Sequence, residues 1–218
     1  MTPTRVSSPQ GCGELHDFWG EDKLMRSILI SIFLFVVPIS ASGQEASPLN
    51  VRNAGAATCL DFTNTFSTPG NALDKTAYLQ WIAGYSAAAA RVNEIVDIFP
   101  ILDTMELVQM VIFVCNEDTE VNLEYAVLQT AIRLRPFWVQ GSANVLTLTW
   151  QDTQTRFFEA AVPALQEALN AVGGNIVVDG AYGNQTGEAV ASLAGQLGLP
   201  STPLPTGAVI YLLTRPAQ

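Results

Sequence analysis

Few side chains in this sequence could carry acid–base or nucleophilic catalysis. The chain has one histidine, His16, and three cysteines, Cys12, Cys59 and Cys115. Histidine is the usual general base beside a serine or cysteine nucleophile, and a common ligand of catalytic zinc. His16 and Cys12 lie in an N-terminal segment that we expect to be cleaved off. Because the remaining chain would have no imidazole, we predict that the protein is not an enzyme.

Carboxylates are the other groups that could act. Acidic residues outnumber basic ones by 20 to 10, a formal charge of −10. A carboxylate pair can hydrolyse glycosides, but these acids lie at predicted helix starts and turns. The run Glu117, Asp118, Glu120 and Glu124 lacks the spacing of a known calcium loop, and favourable charges at a helix start explain it. We predict no metal, no cofactor and, because of the acidic charge, no nucleic-acid partner.

An apolar run from Ile28 to Ile39 follows two basic residues and precedes several small ones. This pattern is typical of a secretory signal peptide, which we assign to residues 1–43, with Met25 as the predicted true start. The run is too short for a membrane span, which takes about 20 apolar residues, and we expect no span after cleavage. The predicted location is the periplasm or the cell exterior.

Cleavage would leave two cysteines, Cys59 and Cys115. Disulfides are common in small exported domains, so we predict that this pair forms one; two buried free thiols are the alternative. In the chain-entropy model, closing a loop of about 57 residues stabilises a fold by roughly 4 kcal/mol.

Three helical patterns follow in a predicted first domain, residues 54–135. The first begins near Asp74, the second at Asp103, and the third at Thr119, ending before Pro136. Asp103 and Glu106 have the spacing of a capping box. The apolar positions expected to face the core are Tyr78, Ile82, Tyr85, Ala89, Val92 and Val96 in the first helix, Leu107, Val108, Val111, Ile112 and Val114 in the second, and Val121, Tyr125, Leu128 and Ile132 in the third.

Residues 136–152 are a predicted linker with one short strand at 145–150, and residues 153–218 form a predicted second domain. The apolar faces of its two helices comprise Phe158, Val162, Leu165, Leu169 and Val172, and then Val190, Leu193 and Leu197. The closing segment 207–213 is either a helix or a strand. The expected fold class is mainly α: a disulfide-linked helical domain followed by a small three-helix domain.

A glycine-rich turn (residues 179–186) with the sequence DGAYGNQT joins the helices of the second domain. With Leu165-Gln166 before it, and Ala189-Val190 and Gly198-Leu199 after it, this turn resembles the type 1 peptidoglycan-binding domain. The resemblance covers roughly the last third of the chain. It departs from that family at Leu193-Ala194, where an aromatic residue and a glutamine are usual. It implies a three-helix domain that binds peptidoglycan.

Within the glycine-rich turn, Asp179 is expected to accept backbone N–H bonds, and Gly180 and Gly183 to adopt positive φ. Asn184 or Thr186 is expected to cap the next helix.

The resemblance implies a ligand surface at this turn. We predict that Tyr182, Asn184 and Gln185 contact the ligand. The aromatic ring would stack on a sugar or peptide face, and the two amides would form hydrogen bonds beside it. The predicted mature chain has a charge of −9, which favours a shallow neutral groove and modest affinity for an anionic polymer.

The first domain has a weaker resemblance, carried by Cys59, Tyr78, Trp81, Gly84-Tyr85 and Cys115. Together they are similar to the disulfide-bonded domains related to the acid-stress chaperone HdeA and to the Rap/Tai immunity proteins. We expect Gly84 to allow close approach of another helix and Trp81 to lie in the core.

The sequence therefore predicts an exported, non-catalytic protein that binds peptidoglycan through residues 153–218, while residues 54–135 offer a surface to a protein partner. Two alternatives stay open. One is an HdeA-like periplasmic chaperone that exposes apolar surface when its carboxylates are protonated. The other is an immunity or inhibitor protein that blocks a peptidoglycan-degrading enzyme.

Overall fold

The computed structural model describes residues 51–215, which belong to one compact unit. The predicted signal peptide, with Met25, Cys12 and His16, lies outside the described residues. The described chain is mainly helical, with a two-stranded sheet. In chain order its elements are α1 (Cys59–Ser67), α2 (Ala72–Val92), α3 (Thr104–Cys115), α4 (Leu123–Arg133), β1 (Val145–Trp150), β2 (Thr153–Phe158), α5 (Val162–Ala171), α6 (Asn184–Gln196) and α7 (Gly207–Leu213).

The predicted disulfide between Cys59 and Cys115 is confirmed, with the two Cα atoms 4.9 Å apart. It joins the first residue of α1 to the last residue of α3. Both cysteines are fully buried. The bridge therefore lies inside the core and limits the conformations of the unfolded chain between these two helices.

Helix α1 is an element that the sequence patterns did not predict. Its nine residues include several with weak helix propensity, such as Thr63 and Asn64. Thr58 is its N-cap, because the Thr58 hydroxyl oxygen accepts the backbone N–H of Asp61 at 3.1 Å. Phe62 packs edge-on against Tyr78 of α2, with ring centroids 5.2 Å apart. The cap and this burial support the short helix.

The buried face of α2 differs from the predicted one. Tyr78 and Ile82 are buried as expected, but the face continues through Ser86 and Ala90. Val92 is 82% exposed. The Ser86 hydroxyl donates to Asp97 Oδ1 at 2.6 Å, which satisfies the polar group on this buried face.

The buried face of α4 was also predicted wrongly, and the helix starts later than Thr119. Asn122 is its N-cap, with Oδ1 accepting the N–H of Tyr125 at 2.8 Å. Tyr125 and Ile132 are about half exposed. The side chains that face the core are Leu123, Ala126, Val127, Thr130 and Ala131. Small residues on this face allow α4 to pack closely on its neighbours.

Helix α3 forms as predicted, but the capping box does not, since Asp103 makes no side-chain cap to its own helix. Asp103 Oδ2 instead accepts the backbone N–H of Arg156 in β2, at 3.2 Å. Glu106 Oε2 accepts the N–H of Gly207 in α7, at 2.6 Å. These two carboxylates, at the N-terminal end of α3, connect that helix to two elements of the predicted second domain.

The predicted strand at 145–150 is present and pairs antiparallel with β2, so that Val145 lies opposite Phe158 and Trp150 opposite Thr153. A helix was expected to include Phe158, and that prediction was wrong. Thr155, Phe157 and Phe158 are the buried residues of β2, and the alternation of exposed and buried side chains over residues 154–157 is that of a strand. The helix begins at Val162, with Pro163 in its first turn.

Residues from both predicted domains contribute to one hydrophobic core. The closing segment is the helix α7, and Tyr211 in that helix stacks on Phe113 of α3, with ring centroids 5.1 Å apart. Gly84 was expected to allow a close helix approach, but a side chain there would meet open space. Gly55 has that role, since Trp81 packs directly against it.

None of the helices in residues 51–215 combines the length and the apolar character needed to cross a membrane.

Candidate functional site

Gln166, on α5, holds the glycine-rich turn in place. Its side chain is 1% exposed. Oε1 accepts the backbone N–H groups of Asp179 and Gly180, at 3.1 and 2.9 Å. Nε2 lies 2.8, 3.0 and 3.1 Å from Asp179 Oδ1, Ala181 O and Thr186 Oγ1, so its two hydrogens are shared among three acceptors. A buried amide with all its polar atoms bonded fixes the conformation of the turn.

Gln166 is not among the predicted site residues, although a sequence signal for it exists. It follows Val162 by four residues and precedes Leu169 by three, and both of these are buried. Helical spacing therefore places Gln166 on the core side of α5. A glutamine on a buried face requires partners, and the polar turn that follows is the nearest source of them.

Asp179 behaves as expected, because its Oδ1 accepts the N–H of Ala181 at 2.9 Å. The hydrogen bond from Gln166, followed by that from the Ala181 backbone, lowers the pKa of Asp179. Gly180 has a φ of 74°, a conformation that favours glycine. Gly183 has a φ of −100°, so the positive φ expected there was wrong.

Neither Asn184 nor Thr186 caps α6, and the predicted cap was wrong. The N-cap is Gly183, and no side chain accepts a hydrogen bond there. Thr186 is 2% exposed, and its hydroxyl faces Gln166 instead of the helix end. Asn184 is exposed in the first turn of α6, where its amide is accessible.

Tyr182 is held against the segment that follows α6. Its hydroxyl donates to the carbonyl oxygen of Pro203 at 2.5 Å. Burial raises the pKa of this phenol, which therefore stays protonated. A Cβ on Gly187 would lie 3.1 Å from Pro203 Cβ, so glycine at this position leaves room for the contact. The ring of Tyr182 is thus fixed, and its hydroxyl hydrogen is already donated to Pro203.

A groove of about 550 Å³ lies beside Tyr182, and we call it the hairpin groove. Its lining combines residues 147–150 of β1 with residues of α6 that include Asn184 and Glu188. Ser201, Pro203 and Leu204, from the segment after α6, complete the lining. The volume lies in the range of roughly 300–1,000 Å³ that is usual for small-molecule sites.

Two of the three predicted ligand contacts line the hairpin groove. Tyr182 and Asn184 do so, whereas Gln185 is exposed outside its lining. Trp150, a residue of the predicted linker, also lines it and is 45% exposed. A tryptophan at the end of a predicted strand is the sequence feature that could have indicated this contact.

The hairpin groove is neutral apart from one carboxylate. Its lining contains no lysine or arginine, and Glu188 is its one charged residue. The rings of Trp150 and Tyr182 provide apolar faces. Asn184 and neighbouring hydroxyl groups provide neutral donors and acceptors. This combination suits a polar ligand with a flat face that carries no strong negative charge.

A second groove, of about 450 Å³, lies between α2 and α4. Its lining contains no charged side chain and includes Tyr85, Val92, Ile132 and Trp138. Trp138 is fixed, since its indole N–H donates to the carbonyl oxygen of Ala131 at 2.9 Å. Apart from Trp138, the lining of this apolar groove lies within residues 54–135, for which a protein partner is predicted.

Metal-binding groups are not assembled in residues 51–215, where no three His, Cys, Asp or Glu side chains are placed to hold an ion. Within the acidic run, Glu117 accepts two hydrogen bonds from Arg133, at 2.9 and 2.6 Å. Asp118 accepts the backbone N–H of Glu120 at 3.0 Å.

Comparison with known proteins adds no relative: no protein-family model, no curated protein and no solved structure matches this chain. The interpretation of the hairpin groove therefore rests on its own residues.

Proposed function

We propose that this protein is an exported, non-catalytic peptidoglycan-binding protein. The observation that carries the proposal is the hairpin groove, in which Trp150, Tyr182 and Asn184 share one cavity. The glycine-rich turn that resembles the type 1 peptidoglycan-binding domain contributes Tyr182 and Asn184 to it. The turn therefore supplies part of a ligand-sized surface in addition to its structural role.

The chemistry of the hairpin groove suits a wall fragment. Peptidoglycan consists of sugars and short peptides, which have flat faces and many neutral hydrogen-bonding groups. An exposed indole such as that of Trp150 packs on such faces, and the Asn184 amide can both donate and accept. Because no basic residue lines the groove, we expect only modest affinity for the carboxylates of the polymer.

Export to the periplasm or the cell exterior is part of the same proposal. It is supported by the signal-like segment of residues 1–43 and by the disulfide, since such bonds persist mainly in oxidising compartments. Peptidoglycan lies in the compartment to which such a signal directs a bacterial protein.

Co-sedimentation with purified sacculi tests the proposal. The full-length chain is required, because α7 depends on α3 through Glu106 and Gly207. We expect the wild-type protein to pellet with sacculi, and Trp150→Ala to remain largely in the supernatant.

The matched control is Tyr125→Ala, which removes another half-exposed aromatic ring, on α4 outside the groove. It should pellet like the wild type. Circular dichroism establishes that both variants are folded. Failure of the wild type to pellet, or equal binding by Trp150→Ala and Tyr125→Ala, would contradict the proposal.

A further inference from the structure

Glu188 is a carboxylate without a cation, placed in the wall of the hairpin groove. It lies four residues after Asn184 on α6, so the two side chains share one helix face, and both line the cavity. The ion pairs found within residues 51–215 involve Glu117 and Asp103, and none involves Glu188. An unpaired carboxylate beside a binding cavity is available to a cationic ligand group.

The part of the groove lining that belongs to β1 adds a second feature that favours a cation. Trp150, at the end of β1, lines the same cavity and is 45% exposed. Indole is the aromatic ring that attracts ammonium groups most strongly. Tyr182 also lines the cavity and contributes its ring. Its hydroxyl is bonded to Pro203 and so is not available to the ligand. A cation in this cavity would therefore meet one negative charge and two aromatic rings.

We propose that Glu188 and Trp150 bind the free side-chain ammonium group of the diamino acid in the peptidoglycan stem peptide. This inference rests on the function proposed above. The glycan carries no ammonium group when its amines are acetylated, so a binder of glycan alone would gain nothing from Glu188. Peptide cross-linking converts the amine into a neutral amide. The hairpin groove therefore prefers stems that are not cross-linked.

Binding of soluble disaccharide-peptide fragments to the full-length chain, measured by calorimetry, tests this inference. The two probes are fragments with a free side-chain amine and the same fragments after chemical N-acetylation. Loss of a charge-assisted hydrogen bond should weaken binding of the acetylated probe to the wild type by about tenfold. We expect Glu188→Gln to bind both probes with similar, weak affinity.

Glu167→Gln is the matched control, because Glu167 is an exposed carboxylate on α5 outside the groove. It makes the same change in net charge and should keep the wild-type preference for the free amine. If Glu188→Gln keeps that preference, or if the wild type shows none, the inference is wrong.

The same measurements separate this inference from the proposed function. Binding of sacculi and of both probes with equal affinity would overturn only the role of Glu188. Absence of binding to sacculi and to both probes would overturn the inference together with the proposed function.

Discussion

Glu106 of α3 accepts a hydrogen bond from the backbone N–H of Gly207, the first residue of α7, at 2.6 Å. The two residues are 101 positions apart in the chain. A Cβ on Gly207 would overlap the carbonyl oxygen of Glu106 and would lie 3.1 Å from Met110 Cγ. Close approach of the α7 backbone to α3 therefore requires glycine at this position.

Gly207→Ala should lower the free energy of unfolding by about 1–3 kcal/mol, because the added methyl group separates α7 from α3. Gly84→Ala is the control. Gly84 lies in the middle of α2, and an added Cβ there would touch no other residue. That variant should gain roughly 0.5–1 kcal/mol from helix propensity. Urea unfolding monitored by circular dichroism measures both, and equal stability of the two variants would contradict the packing described.

Gln166→Ala should destabilise the protein by about 2–4 kcal/mol, because it leaves the N–H groups of Asp179 and Gly180 without their buried partner. It should also weaken sedimentation with sacculi, since the glycine-rich turn shapes the hairpin groove. Gln196→Ala, at the exposed end of α6, is the control and should change neither property. Thermal unfolding is the measurement, and a wild-type melting temperature for Gln166→Ala would refute the role given to this amide.

Glu117 should make stability depend on pH. Hydrogen bonds from Arg133, with the charges of Arg133 and Arg215, lower the pKa of this carboxyl in the folded protein. Its contribution is therefore present above the ordinary carboxyl pKa and is lost as the pH falls through the lowered value. Because Glu117 is 42% exposed, Glu117→Gln should cost no more than about 1 kcal/mol at pH 7.

The measurement for Glu117 is urea unfolding at pH 7 and at pH 2. The stability difference between wild type and Glu117→Gln should shrink at the lower pH. Glu120→Gln, at an exposed neighbouring carboxylate, is the control for the loss of one negative charge in this segment. If the difference in unfolding free energy between wild type and Glu117→Gln grew as the pH fell, the role given to Glu117 would be wrong.

Asn184→Ala should weaken binding of wall fragments about three- to tenfold, as expected for the loss of one or two hydrogen bonds to a ligand. Gln185→Ala should leave affinity unchanged, because Gln185 lies outside the groove lining. Both residues are exposed near the start of α6, so the pair controls for general effects on that helix. Calorimetric titration of the fragments into each variant measures these affinities. A larger loss of affinity for Gln185→Ala than for Asn184→Ala would show that the ligand binds outside the hairpin groove.

Elements with strong local signals could be predicted from the sequence. The apolar run of α3 and the paired cysteines fall into this group. Helix α1 could not, because its short polar sequence is supported by Phe62 packing on Tyr78, a contact with another helix. Phe158, the last residue of β2, is predicted to be helical because it also fits the spacing of Val162 and Leu165.

The candidate site was predictable only in part, for the same physical reason. Tyr182 and Asn184 lie within the glycine-rich turn, to which the resemblance to the type 1 peptidoglycan-binding domain draws attention. Trp150 and Glu188 complete the hairpin groove only because the fold places β1 beside α6. Such a juxtaposition depends on tertiary packing, which no short sequence pattern records.

The bridge between Cys59 and Cys115 has both sulfur-bearing side chains fully shielded from solvent. A reducing agent can therefore attack it only in molecules whose interior has transiently opened. The rate at which dithiothreitol cleaves the bond under native conditions consequently reports how often the core around the bond opens enough to admit the reagent, so the protein carries a built-in probe of its own rare excursions from the native state.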